Sequence, residues 1–304
     1  MAHINEIALL SPIAAVNSGG RLRLYVLSND GNVRQINYEG KWVGGVAKNV
    51  IGSVKLTSPL SATSLGELEA IRVYGIAENN TISEFAYDQG KGWYSGGLTG
   101  KFRVAPYSSV GAVFLAKKRK LRVYVQAEDN SIQEYSFVDG NSDGWYKDQN
   151  LGPALPGTAI AVTAWGNNDN EIGIRVYFQD AEGKVIERAH DARKSKYWYK
   201  GGLSFPGPFP RTPLAVVSWE GSAHVRVYYD TADGTVREKA HDGSGWYDGG
   251  FSEASVPASR ISALSIKGAD LRVYIQTGAY VTSFSEFVFN GDGWIECASP
   301  LPPF

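Results

Sequence analysis

Leu22-Arg23-Leu24-Tyr25 opens a phrase that returns five more times: Ile71-Arg72-Val73-Tyr74, Leu121-Arg122-Val123-Tyr124, Ile174-Arg175-Val176-Tyr177, Val225-Arg226-Val227-Tyr228 and Leu271-Arg272-Val273-Tyr274. Each copy alternates in the way a strand does, with branched and aromatic residues that suit a pleated surface. Successive arginines stand 49, 50, 53, 51 and 46 residues apart. A period near fifty residues marks a repeat architecture. The second copy shows the whole unit. Pro59 to Leu65 reads as a first strand and Ala70 to Ala77 as the arginine strand. Glu78-Asn79-Asn80 is a turn, Thr81 to Asp88 a third strand, and Gly92-Trp93-Tyr94-Ser95-Gly96-Gly97 closes the unit. Four short strands per repeat, punctuated by Gly, Asn and Asp and without a helical stripe, predict an all-β, six-bladed β-propeller of four antiparallel strands per blade. The repeat runs from end to end without a linker, so residues 1–304 form a single domain.

The partners of the arginine repeat with it. Twelve residues on stand Gln35, Glu84, Glu134, Glu187 and Glu238; in the sixth copy Glu286 lies fourteen residues after Arg272. A separation of twelve with a turn midway sets the two side chains opposite each other on one face of a hairpin. Lengthening it by two near Gly278 preserves that face. Each unit then closes on a tryptophan: Trp42, Trp93, Trp145, Trp198, Trp246 and Trp294. Only Trp165 and Trp219 fall outside this set, at the ends of first strands.

Arginine, carboxylate and indole together suit a sugar ring. The guanidinium fork donates to two neighbouring hydroxyls, which lysine cannot copy. The carboxylate accepts from a hydroxyl with charge assistance. The indole covers the C–H side of the ring. The competing reading is that the Arg–Glu pairs are ordinary cross-strand ion pairs worth roughly 0.2–1 kcal/mol each and the tryptophans inter-blade core. Six arginines amid apolar residues argue against it, because a buried ion pair is a poor way to gain stability.

Other chemistries are less well supplied. A net charge of -1 gives no basic face for nucleic acid. No apolar run is long enough to span a membrane, and no basic-then-apolar signal peptide opens the chain. The single Cys297 excludes an intrachain disulfide and reads as a buried small hydrophobe. His3, His190, His224 and His241 lack metal-ligand spacing; His190 and His241 occupy equivalent strand ends. Neither a nucleophile elbow nor a phosphate loop is present. The constellation needs no metal and no cofactor. Asn79-Asn80-Thr81 is a glycosylation sequon on a turn, relevant only on the secretory path.

The Arg-Val-Tyr strands, Ile82-Ser83-Glu84-Phe85-Ala86-Tyr87-Asp88, Ile132-Gln133-Glu134-Tyr135, the Gly-Trp-Tyr closures and Leu151-Gly152-Pro153-Ala154-Leu155-Pro156-Gly157-Thr158 resemble the fungal fucose-specific lectins of the Aleuria aurantia type, over essentially the whole chain. The resemblance implies a six-bladed propeller without catalysis. It implies L-fucose and fucosylated glycans as ligands, pockets between blades, and a homodimer. Carried over residue by residue, it pairs Arg23 and Gln35 with Trp93, and Arg72 and Glu84 with Trp145. Arg122 and Glu134 go with Trp198, Arg175 and Glu187 with Trp246. Arg226 and Glu238 go with Trp294, and Arg272 and Glu286 close onto Trp42. Three departures stand out: Gln35 replaces an acid, Trp42 sits in Lys-Trp-Val, and Trp198 sits in Tyr-Trp-Tyr. The ligands of such a lectin lie outside the cell, so the expected location is the cell surface or non-classical release, with the cytoplasm as alternative. The rival function is a sialidase-type propeller glycosidase; against it, the acids are spread one per repeat rather than gathered in one asymmetric site.

Overall fold

The computed structural model describes residues 6–115, 118–140, 144–280 and 282–303, so His3 lies outside the described residues. The six repeats become six antiparallel sheets. Blade 1 holds β1 (Ile13–Ser18), β2 (Arg21–Leu27), β3 (Asn32–Tyr38), β4 (Trp42–Gly44) and β5 (Val50–Ser53). Blade 2 holds β6 (Ser61–Leu65), β7 (Ala70–Ile76), β8 (Ile82–Asp88) and β9 (Gly92–Ser95). Blade 3 holds β10 (Val110–Leu115), β11 (Lys120–Gln126), β12 (Ser131–Val138) and β13 (Tyr146–Pro153). Blade 4 holds β14 (Ala161–Trp165), β15 (Gly173–Gln179), β16 (Lys184–Asp191) and β17 (Tyr199–Pro206). Blade 5 holds β18 (Leu214–Trp219), β19 (His224–Asp230), β20 (Thr235–His241) and β21 (Trp246–Ala254). Blade 6 holds β22 (Ser262–Lys267), β23 (Asp270–Ile275), β24 (Phe284–Phe289) and β25 (Trp294–Leu301). Blade 1 departs from four strands because its outer edge is broken at Ala47–Asn49, leaving β4 and β5 both paired with β3.

The first strands stand side by side around a central axis, each beside the next, and β22 returns beside β1. Every blade is built from one continuous stretch of chain, and β25 completes the sixth. The ends close the ring through side chains instead of a borrowed strand. The Leu10 N–H donates to Gln276 Oε1 at 2.8 Å, and Asn17 Nδ2 donates to the Ser265 carbonyl at 3.1 Å.

The core is divided among the interfaces between blades. Leu22, Leu24 and Ile36 of blade 1 pack with Tyr274, Phe284 and Leu301 of blade 6; Ala14, Val16 and Tyr25 pack with Leu60, Ile71 and Val73 of blade 2. The tyrosine of each repeated phrase is fully buried in such an interface, at Tyr25, Tyr74, Tyr124, Tyr177, Tyr228 and Tyr274. A second repeated device escapes a reading of strand patterns. A buried hydroxyl just before the first strand accepts the N–H at the end of the second. Ser11 takes that of Leu27, Ser58 of Ile76, Ser108 of Gln126, Thr158 of Gln179 and Ser259 of Gln276, at 2.7–2.9 Å. Each bond satisfies a backbone donor that the sheet ladder leaves open.

Candidate binding sites between the blades

The second and third strands place the repeated arginine and acid. In blade 2, Tyr74 is opposite Glu84 and Arg72 is opposite Ala86. Blade 3 pairs Tyr124 with Glu134, and blade 4 pairs Tyr177 with Glu187. Arginine and acid are thus diagonal neighbours, not directly opposed as the spacing alone suggested. The offset of two keeps both on one face, within reach of a long side chain. The longer sixth hairpin preserves it: Tyr274 faces Glu286 and Arg272 faces Val288. Arginine Nε meets the acid in all five charged copies. The distances are 3.7 Å for Arg72–Glu84, 2.8 Å for Arg122–Glu134, 2.8 Å for Arg175–Glu187, 3.3 Å for Arg226–Glu238 and 3.7 Å for Arg272–Glu286. In the first copy Gln35 donates to Asn37 at 2.7 Å, and Arg23 pairs with Glu39 instead.

The tryptophan at each of these faces comes from the following blade. Its ring meets the buried tyrosine edge-on, with centroids 5.8 Å apart for Tyr25–Trp93, 6.3 Å for Tyr74–Trp145 and 5.9 Å for Tyr124–Trp198. The remaining pairs are Tyr177–Trp246 at 6.1 Å, Tyr228–Trp294 at 6.1 Å and Tyr274–Trp42 at 6.2 Å. All six groupings expected from the resemblance are therefore brought together, including the one that closes the ring. The indole contributes its polar edge as well as its face. Trp198 Nε1 donates to Glu134 Oε2 at 3.0 Å, and Trp42 Nε1 donates to Glu286 Oε2 at 3.3 Å. Neither the Lys-Trp-Val nor the Tyr-Trp-Tyr setting disrupts its grouping; Tyr197 simply points to solvent.

Glycine makes room over three of the buried acids. A Cβ at Gly96 would come within 2.3 Å of the Glu84 carboxyl, one at Gly201 within 2.3 Å of Glu187 and one at Gly249 within 1.9 Å of Glu238. The outer strand thus passes directly over the carboxylate and donates backbone N–H groups to it, as Leu98 does to Glu84 at 2.8 Å and Gly202 to Glu187 at 2.8 Å. Burial raises the carboxyl pKa of Glu84, Glu238 and Glu286, with hydrogen bonds and the neighbouring arginine pulling the other way. Blade 3 carries Asp148 where blades 2, 4 and 5 carry this glycine, and blade 6 carries Cys297 there. Ser136 Oγ bridges the two acids, 3.4 Å from Glu134 Oε1 and 2.6 Å from Asp148 Oδ2. Burial, joined by the Asp148 charge and opposed by Arg122, pushes the Glu134 carboxyl up to about 7.

A second acid holds the far end of most of the arginines. Arg72 meets Asp88 at 3.3 Å, Arg175 meets Asp191 at 3.1 Å and Arg226 meets Asp242 at 2.9 Å; Arg272 pairs with Asp270. Tyr94, Tyr199 and Tyr247, each next to its tryptophan, donate to Asp88, Asp191 and Asp242. Burial works against ionisation of Asp191, but the hydrogen bonds from Tyr199 and Arg175 and the Arg175 charge overcome it and hold the pKa low. Where blades 2, 4 and 5 have the acid, blade 3 has Val138, so Arg122 keeps only Glu134 as an ionic partner among the described residues.

Reading the sequence missed two further groups. One aromatic per blade, across the third and fourth strands, tilts against the tryptophan: Tyr38, Tyr87, Phe137, His190, His241 and Phe289, at 5.1–5.7 Å. The signal was available, since each lies three residues after the acid. His190 and His241 sit at the strand ends as expected, and there they serve as rings. Trp165 and Trp219 also belong here, over Arg175 at 4.7 Å and Arg226 at 4.9 Å. Cys297, by contrast, is exposed and free instead of buried, because it lies on the outer strand of blade 6. Among the described residues no cluster of three or more His, Cys, Asp or Glu is arranged for a metal.

Each grouping thus offers a donor fork, an acceptor that is buried in all but the first, an indole N–H and an aromatic wall in one cleft. The first is an open cavity of about 210 Å³ lined by Arg23, Gln35, Ile71, Tyr87 and Trp93. The model of the fungal fucose-specific lectin family matches residues 7–304. A fucose-specific lectin of Aspergillus fumigatus is 42% identical over 98% of this chain and 98% of its own. The fucose-specific lectin of Aleuria aurantia is 31% identical over 95% of each. The structure of SapL1 lectin in complex with alpha methyl fucoside superposes with a TM-score of 0.93, at 44% identity and covering 100% of both chains. The chain belongs to the fungal fucose-specific lectin family.

Proposed function

We propose that this chain is a multivalent lectin that binds L-fucose and fucosylated glycans reversibly in the clefts between adjacent blades, without catalysis. The observation that carries the reading is the convergence of Arg122, Glu134 and the next blade's Trp198 on one point, repeated around the ring. A sugar with vicinal hydroxyls finds the arginine fork and the carboxylate together. Fucose lacks a hydroxyl on C6, so its methyl rests against an apolar wall such as Ile71 of the first cleft. A galactose hydroxyl there would lose water without gaining a partner, at a cost of about 1–3 kcal/mol. The printed descriptions of the relatives above, fucose-specific lectins and a fucoside complex, support the same reading. Nothing in them favours a sialidase-type hydrolase.

Several weak sites on one rigid ring gain avidity on a glycan-bearing surface, on the order of 10²–10⁴ where the geometry permits simultaneous contact. We further propose a homodimer acting at the cell surface or after non-classical release; light scattering tests the first and surface labelling of intact cells the second. Calorimetric titration with methyl α-L-fucoside, with methyl galactoside as control, tests the central reading. Saturable binding at several sites per chain for the fucoside alone is expected. Absence of heat with the fucoside would return the Arg–Glu pairs to structural ion pairs.

A further inference from the structure

We infer that the fourth cleft carries an extended subsite, in which Trp165 forms a platform for the pyranose that bears the fucose; Trp219, its counterpart in the fifth cleft, is covered by His224. The inference rests on the fucose reading above.

The six clefts differ on their axial side. The residue two positions beyond the arginine's partner on the first strand faces the same way as the arginine. It is Ser18, Leu65, Leu115 and Ile266 in blades 1, 2, 3 and 6, but Trp165 and Trp219 in blades 4 and 5. Both tryptophans are only partly buried, and both lie over the guanidinium of the arginine in their own blade. The surroundings hold each ring flat. A Cβ at Gly173 would strike Trp165 at 2.1 Å, so glycine alone lets that indole lie over the second strand. At the same place in blade 5, His224 stacks on Trp219 with centroids 5.0 Å apart and planes 10° from parallel, and His224 Nδ1 is tied to Asp242 at 2.5 Å.

The space beside Trp165 is the second observation. A cavity of about 860 Å³ opens next to it and reaches Arg175, Asp191, Arg193 and Glu220. A volume of this size is in the range that holds an oligosaccharide-sized ligand. It shares Arg175, the residue that would hold the fucose, with the fourth cleft, which brings a second sugar ring attached to that fucose within reach of the cavity. A planar indole beside a mixed rim of carboxylates and cations is the chemistry of a pyranose: the C–H face packs on the ring and the hydroxyls meet the charges. An indole of this sort contributes a factor of roughly two to ten in affinity.

The test compares methyl α-L-fucoside with disaccharides of fucose linked to galactose or to N-acetylglucosamine, by calorimetry. The chain used carries Arg23→Ala, Arg72→Ala, Arg122→Ala, Arg226→Ala and Arg272→Ala, which leaves the fourth cleft. At least one disaccharide should bind there three- to ten-fold more tightly than the monosaccharide, and Trp165→Leu should abolish that ratio. The ratio is decisive because a tryptophan that merely steadied the arginine would weaken both ligands equally. An equal loss, a ratio that survives, or no disaccharide advantage overturns the subsite. Failure of the five-arginine variant to bind methyl α-L-fucoside, when it folds and the unsubstituted protein does bind, overturns the subsite by removing the fucose site beneath it; silence of the unsubstituted protein would overturn the fucose reading itself. Should that variant not fold, Arg175→Ala in the otherwise unchanged chain gives the converse result: the tight disaccharide class disappears and the weak class remains. Its persistence refutes the inference.

Discussion

Trp198 Nε1 lies 3.0 Å from Glu134 Oε2, although the two residues are 64 positions apart and belong to neighbouring blades. The same carboxylate holds Arg122 through its other oxygen at 2.8 Å. A cleft is therefore shared property: one blade supplies the charged pair and the next supplies the indole. Substitutions should act on one cleft at a time, since no side chain of the charged pair reaches a second one.

Arg122→Ala should remove the third cleft and leave the others intact. Calorimetric stoichiometry for methyl α-L-fucoside is expected to fall by one site per chain. Glu134 then loses its only ionic partner among the described residues, and a buried unpaired carboxylate takes up a proton. The loss of stability should be about 1–3 kcal/mol at pH 8 and smaller at pH 6, read from urea unfolding. A variant that lost all fucoside binding would contradict independent clefts.

The third cleft should also be sensitive to pH. The Glu134 carboxyl is raised from its ordinary 4.5 to about 7, so the folded protein holds this proton more tightly than the unfolded chain. Its contribution to stability is complete below about pH 4.5 and is lost as the pH rises through about 7. A sugar hydroxyl donates to the ionised carboxylate, so binding works against the proton. Affinity at this cleft should weaken as the pH falls from 8 to 6, and binding near pH 6.5 should release protons. Titrations in buffers of different ionisation heat measure that release, and Glu134→Gln should abolish it.

Gln35→Glu should strengthen the first cleft. The amide accepts from a hydroxyl only as a neutral group and is tied to Asn37. A carboxylate makes a charge-assisted bond worth about 1 kcal/mol more. An increase of roughly five- to ten-fold in affinity at one site is expected, seen as a shift of one binding class in calorimetry.

Gly201→Ala should close the fourth cleft without replacing any of the side chains assigned to the ligand. The new methyl would sit 2.3 Å from the Glu187 carboxyl and force it aside. Overpacking of this kind costs about 1–3 kcal/mol, and one fucoside site should vanish. Gly250→Ala is the control, since a Cβ there meets nothing within 4 Å; it should leave melting temperature and stoichiometry unchanged.

Much of this was legible in the chain. The recurrence of Arg72-Val73-Tyr74 and its relatives fixed the number of blades, because a fifty-residue period leaves few architectures open. The even spacing of Arg72 and Glu84 fixed their common face, since side chains alternate along a strand whatever the rest of the fold does. Strand parity is a local property and needs no tertiary information. It did not give the diagonal register, which the turn at Glu78 to Asn80 sets by placing Tyr74 opposite Glu84.

Only the tertiary structure decided the contacts between blades. Sequence spacing says nothing of which indole faces Glu134, because that depends on how neighbouring sheets pack around the axis. The glycines that pass over the acids, the acid pair of Glu134 and Asp148, and the indoles of Trp165 and Trp219 over their arginines are of the same kind. Each depends on distances of a few ångströms between strands whose separation is set by packing, and packing is a property of the closed ring.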